Sequence, residues 1–178
     1  MQMRPEVQLA AMIKAMSDVI IPALPQGNML AVEQANLVVG MLNLMQTQLP
    51  VQFRFDRDEL QRLVEAAQQL KAVGTEDRVT AAGLEQVAVP CARATEVLER
   101  CKAGPDELYA AILQLRGALC ALVDASATSA DIGARECIES ILLAMSKEQL
   151  LRDRALMKPQ RWEPDPAAVP DIDTLVGR

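Results

Sequence analysis

The chain contains no histidine in its 178 residues. Imidazole is the commonest metal ligand and general base, so its absence removes mixed Cys/His zinc sites, Glu-x-x-His di-metal bundles and His-activated nucleophiles together. Aromatic residues are nearly missing as well, with one Trp, one Tyr and two Phe. A core must therefore be built from Leu, Ile, Val, Ala and the nine Met, side chains that suit helix-on-helix packing. Cys91, Cys101, Cys120 and Cys137 form no CxxC pair and are expected as buried, reduced thiols. Gly40, Gly83, Gly117 and Gly133 stand singly within helical patterns or at their ends, which leaves no Gly-rich phosphate cradle. Lys14 and Asp18 interrupt the one apolar stretch near the start, and no run approaches the roughly 20 apolar residues that span a bilayer. The expectation is a cytoplasmic protein with no membrane contact and no bound cofactor.

The chain has 18 Lys and Arg against 24 Asp and Glu, a net charge of −6. Nucleic-acid binding is not expected, because phosphate neutralisation needs clustered cations. This length buries about two thirds of the unfolded surface, enough for one core.

Apolar spacing then lays out the helices. A first helix is predicted from Pro5 until just before Pro22, with Leu9, Met12, Ile13, Met16 and Ile20 on one stripe. Pro22, Pro25 and Gly27 make a connection, and Asn28 can cap a second helix over about Met29 to Leu49. Leu30, Leu37, Val38, Met41, Leu42 and Met45 cover a wide arc of that helix, which suits either the centre of a bundle or a helix that meets a partner.

After Pro50, Phe53 and Phe55 read as a short extended piece leading into Asp56-Arg57-Asp58-Glu59, an acidic first turn for a third helix. Leu60, Leu63, Val64, Ala67 and Leu70 form its seam, and Gly74 ends it. From about Ala81 to Lys102 a single helical phase runs through Leu84, Val87, Cys91, Ala94, Leu98 and Cys101, giving one kinked helix or two collinear ones around Pro90. The next seam is Leu108, Ile112, Leu115, Leu119 and Leu122, and the last helix, about Ala130 to Met157, buries Ile138, Ile141, Leu142 and Met145. The predicted fold is all-α: an up-and-down bundle of five to six helices over residues 1–157, followed by an extended acidic, Pro-rich tail over 158–178. Trp162 is expected to clip that tail onto the bundle or onto another subunit.

No catalytic or metal constellation emerges. Glu136 with Glu139 is the nearest approach to a carboxylate magnesium site, yet on the helical wheel both turn away from the apolar stripe. Glu96 with Glu99 and Glu148 with Asp153 read as solvated faces. The cluster Arg54, Asp56, Arg57, Asp58, Glu59 and Arg62 has nearly balanced charge and suits local ion pairs better than an anion site. Gln34 falls in the middle of the apolar arc of the second helix, either as a buried amide that fixes packing register or as the polar anchor of a pocket lined by Met12, Met16, Met41 and Met45.

Met3-Arg4-Pro5, Ile20-Ile21-Pro22-Ala23-Leu24 and Ala35-x-x-Val38-Val39-x-Met41-Leu42 resemble a family of uncharacterised bacterial helical proteins encoded beside phosphotransferase-like and acyl-CoA dehydrogenase-like enzymes. The likeness covers roughly the first 50 residues and departs from the family pattern between Pro25 and Met29. It carries over no catalytic residue, and implies an accessory protein near acyl or aromatic-acid catabolism. The resulting expectation is a non-enzymatic accessory or interaction protein, acting as a homodimer or on a partner enzyme. The alternative is a binder of, or enzyme for, an acyl-chain-like small molecule held in an apolar pocket between helices.

Overall fold

The computed structural model describes residues 4–25 and 27–177, so Met3 of the opening motif, Gln26 of the first connection and Arg178 of the tail lie outside it. The described residues are all-α, with no strand among them. The order is α1 (Pro5–Ala15), a π-helical turn (Met16–Ile20), α2 (Ile21–Ala23), α3 (Met29–Gln48), α4 (Gln52–Leu70), α5 (Arg78–Glu99), α6 (Pro105–Ala127) and α7 (Ile132–Met157). Two 3-10 turns, Lys158–Gln160 and Pro166–Ala168, and the short α8 (Ile172–Leu175) follow.

The first helical segment does not stop before Pro22. Proline lacks an amide donor and its ring crowds the carbonyl four residues back. The π turn relieves that crowding by widening the helix, and the Ile21 N–H reaches the Met16 carbonyl, five residues earlier. Helical geometry ends instead at Leu24, whose φ of −69° and ψ of 142° are the extended values imposed on a residue that precedes proline. A second correction falls at α4, which begins at Gln52 and so takes Phe53 and Phe55 into the helix instead of an extended piece.

Caps set the other helix starts. Asn28 Oδ1 accepts the Ala31 N–H at 3.1 Å to start α3, and Asp77 Oδ2 accepts the Thr80 N–H at 2.8 Å to start α5. At α6 the Glu107 carboxylate accepts the Gly104 N–H at 3.0 Å, with Pro105 in the first turn. Asp131 Oδ1 accepts the Ala134 N–H at 3.0 Å at the head of α7. Helix α5 runs unbroken through Pro90, which resolves the choice between one helix and two.

The chain divides into two compact units, residues 53–152 with 174–178, and residues 1–52 with 153–173. The unit formed by 53–152 and 174–178 holds a continuous apolar core. Leu60, Leu63, Val64, Ala67 and Leu70 of α4 meet Val87, Cys91, Ala94 and Leu98 of α5, the full predicted seam of α6, and Ile138 and Leu142 of α7. Burying each large side chain contributes roughly 1.5–3 kcal/mol. Helices α5 and α6 approach closely at Gly83, where an added Cβ would lie 3.1 Å from Leu122 Cδ1 and 3.3 Å from Ala125 Cβ. Contrary to the sequence expectation, α6 is long and apolar enough by length and composition to cross a membrane. Its apolar seam is spent on this core.

The unit formed by 1–52 and 153–173 buries much less. Among its described residues the buried apolar ones are Leu9, Ala35, Leu44, Val51, Ala155 and Val169. Residues 158–173 are not an extended tail here. The Lys158 ammonium donates to the Val169 carbonyl at 2.8 Å and to Asp171 Oδ1 at 2.9 Å, Arg154 pairs with Glu163 at 2.5 Å, and Gln160 Nε2 donates to the Gly40 carbonyl of α3 at 3.1 Å. Four prolines forbid a long helix in this stretch, but they leave room for single turns tied by such bonds. Trp162 does not clip this stretch onto its own chain: it is 70% exposed, just after Arg161 in left-handed geometry (φ 59°).

Candidate functional site

At about 100° per residue, Leu30, Gln34, Leu37, Val38, Met41 and Met45 of α3 fall within an arc of about 100°. Apart from Leu42, which is half-buried, the apolar members of the arc that the spacing offered to a bundle centre or to a partner turn to solvent. Leu30 is 66% exposed, Leu37 59%, Val38 48%, and Met41 and Met45 52% each; Gln34 is exposed with them. Helix α3 instead buries Ala35 and Leu44. The physical reason is the partner available inside the chain: α1 and the turn at Lys158–Gln160 pack on other sides of α3 and leave this one uncovered. Glu33 is the only charged residue in the twenty of α3, so the exposed face is also almost free of charge.

The five residues expected to line a pocket are not gathered into one. Met12 and Met45 share an open groove of about 390 Å³ with Pro5, Gln8, Leu9, Gln48, Leu49 and Gln52. Met16 is half-buried in the π turn, while Met41 and Gln34 lie along the exposed face of α3. Gln34 is thus neither a buried register amide nor the anchor of an enclosed cavity within the single chain. The missed signal is the charge content of α3. A helix that is apolar over so wide an arc and carries one charge has more apolar surface than one neighbour can cover.

The unit formed by 53–152 and 174–178 carries a network that sequence reasoning recovered only in part. Asp58 accepts the Arg152 Nε–H at 2.8 Å and pairs with Arg62, one helical turn away. Arg62 Nη2 donates to Gln149 Oε1 at 2.5 Å, and Arg116 Nη2 lies 2.7 Å from Glu59 Oε1. Glu59 and Arg62 are buried. The i,i+4 spacing of Asp58 and Arg62 was legible; Arg116, the partner of Glu59, and Arg152, the partner of Asp58, come from α6 and α7 with no local signal. Arg54, Arg57 and Asp58 line an open cavity of about 360 Å³ with Phe53, Gln61 and Gly177.

The remaining candidates stay dispersed. Glu136, Glu139, Glu96, Glu99, Glu148 and Asp153 are exposed, as their wheel positions suggested. Among the described residues no group of three or more acidic or thiol side chains could hold a metal ion. Cys91 alone of the four thiols is buried, a correction for Cys101, Cys120 and Cys137. Cys101 lies past the end of α5, where the helical phase no longer applies, and Cys120 and Cys137 sit one residue off the seams of α6 and α7.

Perturbed carboxylates belong to caps and surface pairs. The Thr80 hydroxyl and amide hold Asp77 below its ordinary 3.8, the Ala134 amide and Thr75 hydroxyl do the same for Asp131, and the Gly104 amide and Arg100 lower Glu107 from 4.5. Glu163 is lowered by Arg154. Asp77 and Asp131 line an open cavity of about 800 Å³ with Gly74, Thr75, Glu76 and Ala130, where the Thr75 hydroxyl donates to Asp131 at 2.8 Å. Comparison with family models, with curated proteins and with solved structures gives no match.

Proposed function

We propose that the protein is an accessory interaction protein that works by docking the exposed face of α3 on a second macromolecule. One observation carries this reading: Leu30, Leu37, Val38, Met41 and Met45 stand about half exposed or more along a single, nearly uncharged helix face. A monomer rarely leaves a contiguous apolar patch larger than a few hundred Å² open to water. Methionine adds a flexible, polarizable contact surface. The resemblance of the first 50 residues to proteins encoded beside acyl-CoA dehydrogenase-like and phosphotransferase-like enzymes makes such an enzyme the candidate partner outside the chain itself. An up-and-down course for α4 to α7 and a cytoplasmic setting belong to the same proposal, supported by connections such as Arg100 to Gly104 and by four unpaired thiols.

The test compares wild type with Leu37→Glu/Met41→Glu. Light scattering at micromolar concentration and affinity capture from the producing cells should find the wild type in an assembly, with itself or with a partner, and the variant alone. A wild type that is strictly monomeric and retains nothing contradicts the proposal.

A second reading, an acyl-chain binder, keeps one supporting observation in the open groove at Met12 and Met45. Native mass spectrometry of freshly purified protein decides it. A retained ligand supports this reading, and clean apo protein with no thermal shift across an acyl-CoA panel discards it.

A further inference from the structure

We infer, resting on the reading of α3 as a binding face, that its occupant is a second copy of this chain packed antiparallel, with a two-fold axis passing between Leu37 and Val38. The positions themselves carry the argument. In an antiparallel pair about that axis, Leu30 meets Met45 of the other copy, Gln34 meets Met41, and Leu37 meets Val38; every member of the exposed face finds another member opposite. An isologous contact requires this kind of self-complementarity, and the spacing of this face meets that requirement.

Charge points the same way. With Glu33 as the only ionised side chain on α3, the face offers nothing that would steer or select a charged partner. A parallel arrangement would set the two Glu33 carboxylates side by side, whereas the antiparallel one separates them by about 13 Å along the helix at a rise of about 1.5 Å per residue. It also opposes the two helix dipoles. The amide of Gln34 finds the thioether of Met41 in front of it, a pairing the chain already makes between Gln48 Nε2 and Met157 Sδ at 3.6 Å.

Area is sufficient. At exposures of 48% to 66%, the five apolar side chains with Gln34 present on the order of 600 Å² per copy, at the upper end of the largest patch on a typical monomer and about three quarters of the ~800 Å² per partner of a standard interface. The groove at Met12, Met45 and Leu49 continues the face at one end and adds to it.

The experiment uses the full chain with Cys101, Cys120 and Cys137 replaced by Ser. Sedimentation velocity over about 1 to 100 µM should show the mass of two copies. Oxidation of Leu30→Cys/Met45→Cys should give a covalent dimer on a denaturing gel, while Leu30→Cys alone and Met45→Cys alone should stay single. Residues 30 and 45 are about 22 Å apart along one helix and cannot bridge within a chain. Leu37→Glu should sediment as one copy with unchanged helical circular dichroism.

A dimer in which the double variant fails to cross-link, or in which the single variants cross-link equally, overturns the inference. A monomer that captures a partner enzyme through α3 also overturns it, and leaves the binding-face reading standing. A monomer that captures nothing removes both.

Discussion

Arg152 of α7 donates its Nε–H to Asp58 of α4 at 2.8 Å, a bond between residues 94 positions apart, and the same carboxylate oxygen pairs with Arg62. One acceptor thus serves two guanidinium groups whose side chains are only 13% and 10% exposed. Asp58→Ala should destabilise the protein by about 2 kcal/mol or more, because two poorly solvated cations lose a partner at once. Urea unfolding of the single and double variants at Asp58 and Arg152 measures the coupling. Independent, additive losses would show that the pair contributes nothing.

Gly83 lies where α5 and α6 approach closely, and its freedom from a side chain is what permits the contact. Gly83→Leu should lower stability by about 2 kcal/mol or more, since the added atoms meet Leu122 and Ala125 directly. Leu115→Ala, at the fully buried centre of the same seam, should cost about 2–5 kcal/mol. Thermal melts of both variants beside Leu113→Ala, a half-exposed neighbour, give the comparison. Equal losses at positions 113 and 115 would contradict the assigned α6 face.

Acid should weaken the helix caps. Asp77, Asp131 and Glu107 have folded values below their ordinary 3.8 and 4.5, so the unfolded chain binds more protons over that interval. Their contribution is complete above the ordinary carboxylate range and is lost as pH falls through the lower folded values. Stability should therefore drop between about pH 5 and pH 3, and Asp77→Asn, which keeps an acceptor but does not titrate, should flatten that slope. A slope unchanged in Asp77→Asn would remove this cap from the account.

The segment after α7 should behave as ordered while its tryptophan behaves as exposed. Trp162, at 70% exposure, is expected to emit as a water-exposed indole and to be quenched freely by acrylamide. Backbone amides near Val169, which is buried, should exchange slowly, and Lys158→Ala should accelerate them by removing the bonds to Val169 and Asp171. Fast exchange at Val169 in the wild type would return this stretch to the extended tail that its prolines suggested.

Sequence periodicity located the helices and assigned the core of α4 and α6 residue by residue, because an amphipathic stripe buried on one side only repeats at 3.6. It left the choice open where two faces compete. In α3 the widest apolar arc suited either a bundle centre or a partner, and the side that packs within the chain is the one with Ala35 and Leu44, which leaves the arc with Gln34 outside. Periodicity reports that a face avoids water and is silent on whose atoms cover it. The same limit hid Arg116 and Arg152, whose partners on α4 are set by the approach of distant helices. The stop expected before Pro22 failed for a local reason: a single π turn accommodates the proline ring, and composition carries no sign of it.

Hydroxyl-radical footprinting of α3 tests the central claim most directly, because Met41 and Met45 lie on the proposed contact face while Met29, 66% exposed at the head of the same helix, lies off it. In cells producing the protein, Met41 and Met45 should be protected relative to Met29, and in dilute purified protein all three should oxidise readily. Oxidation of Met41 and Met45 at the rate of Met29 under both conditions would mean that nothing covers the face, and would contradict the account.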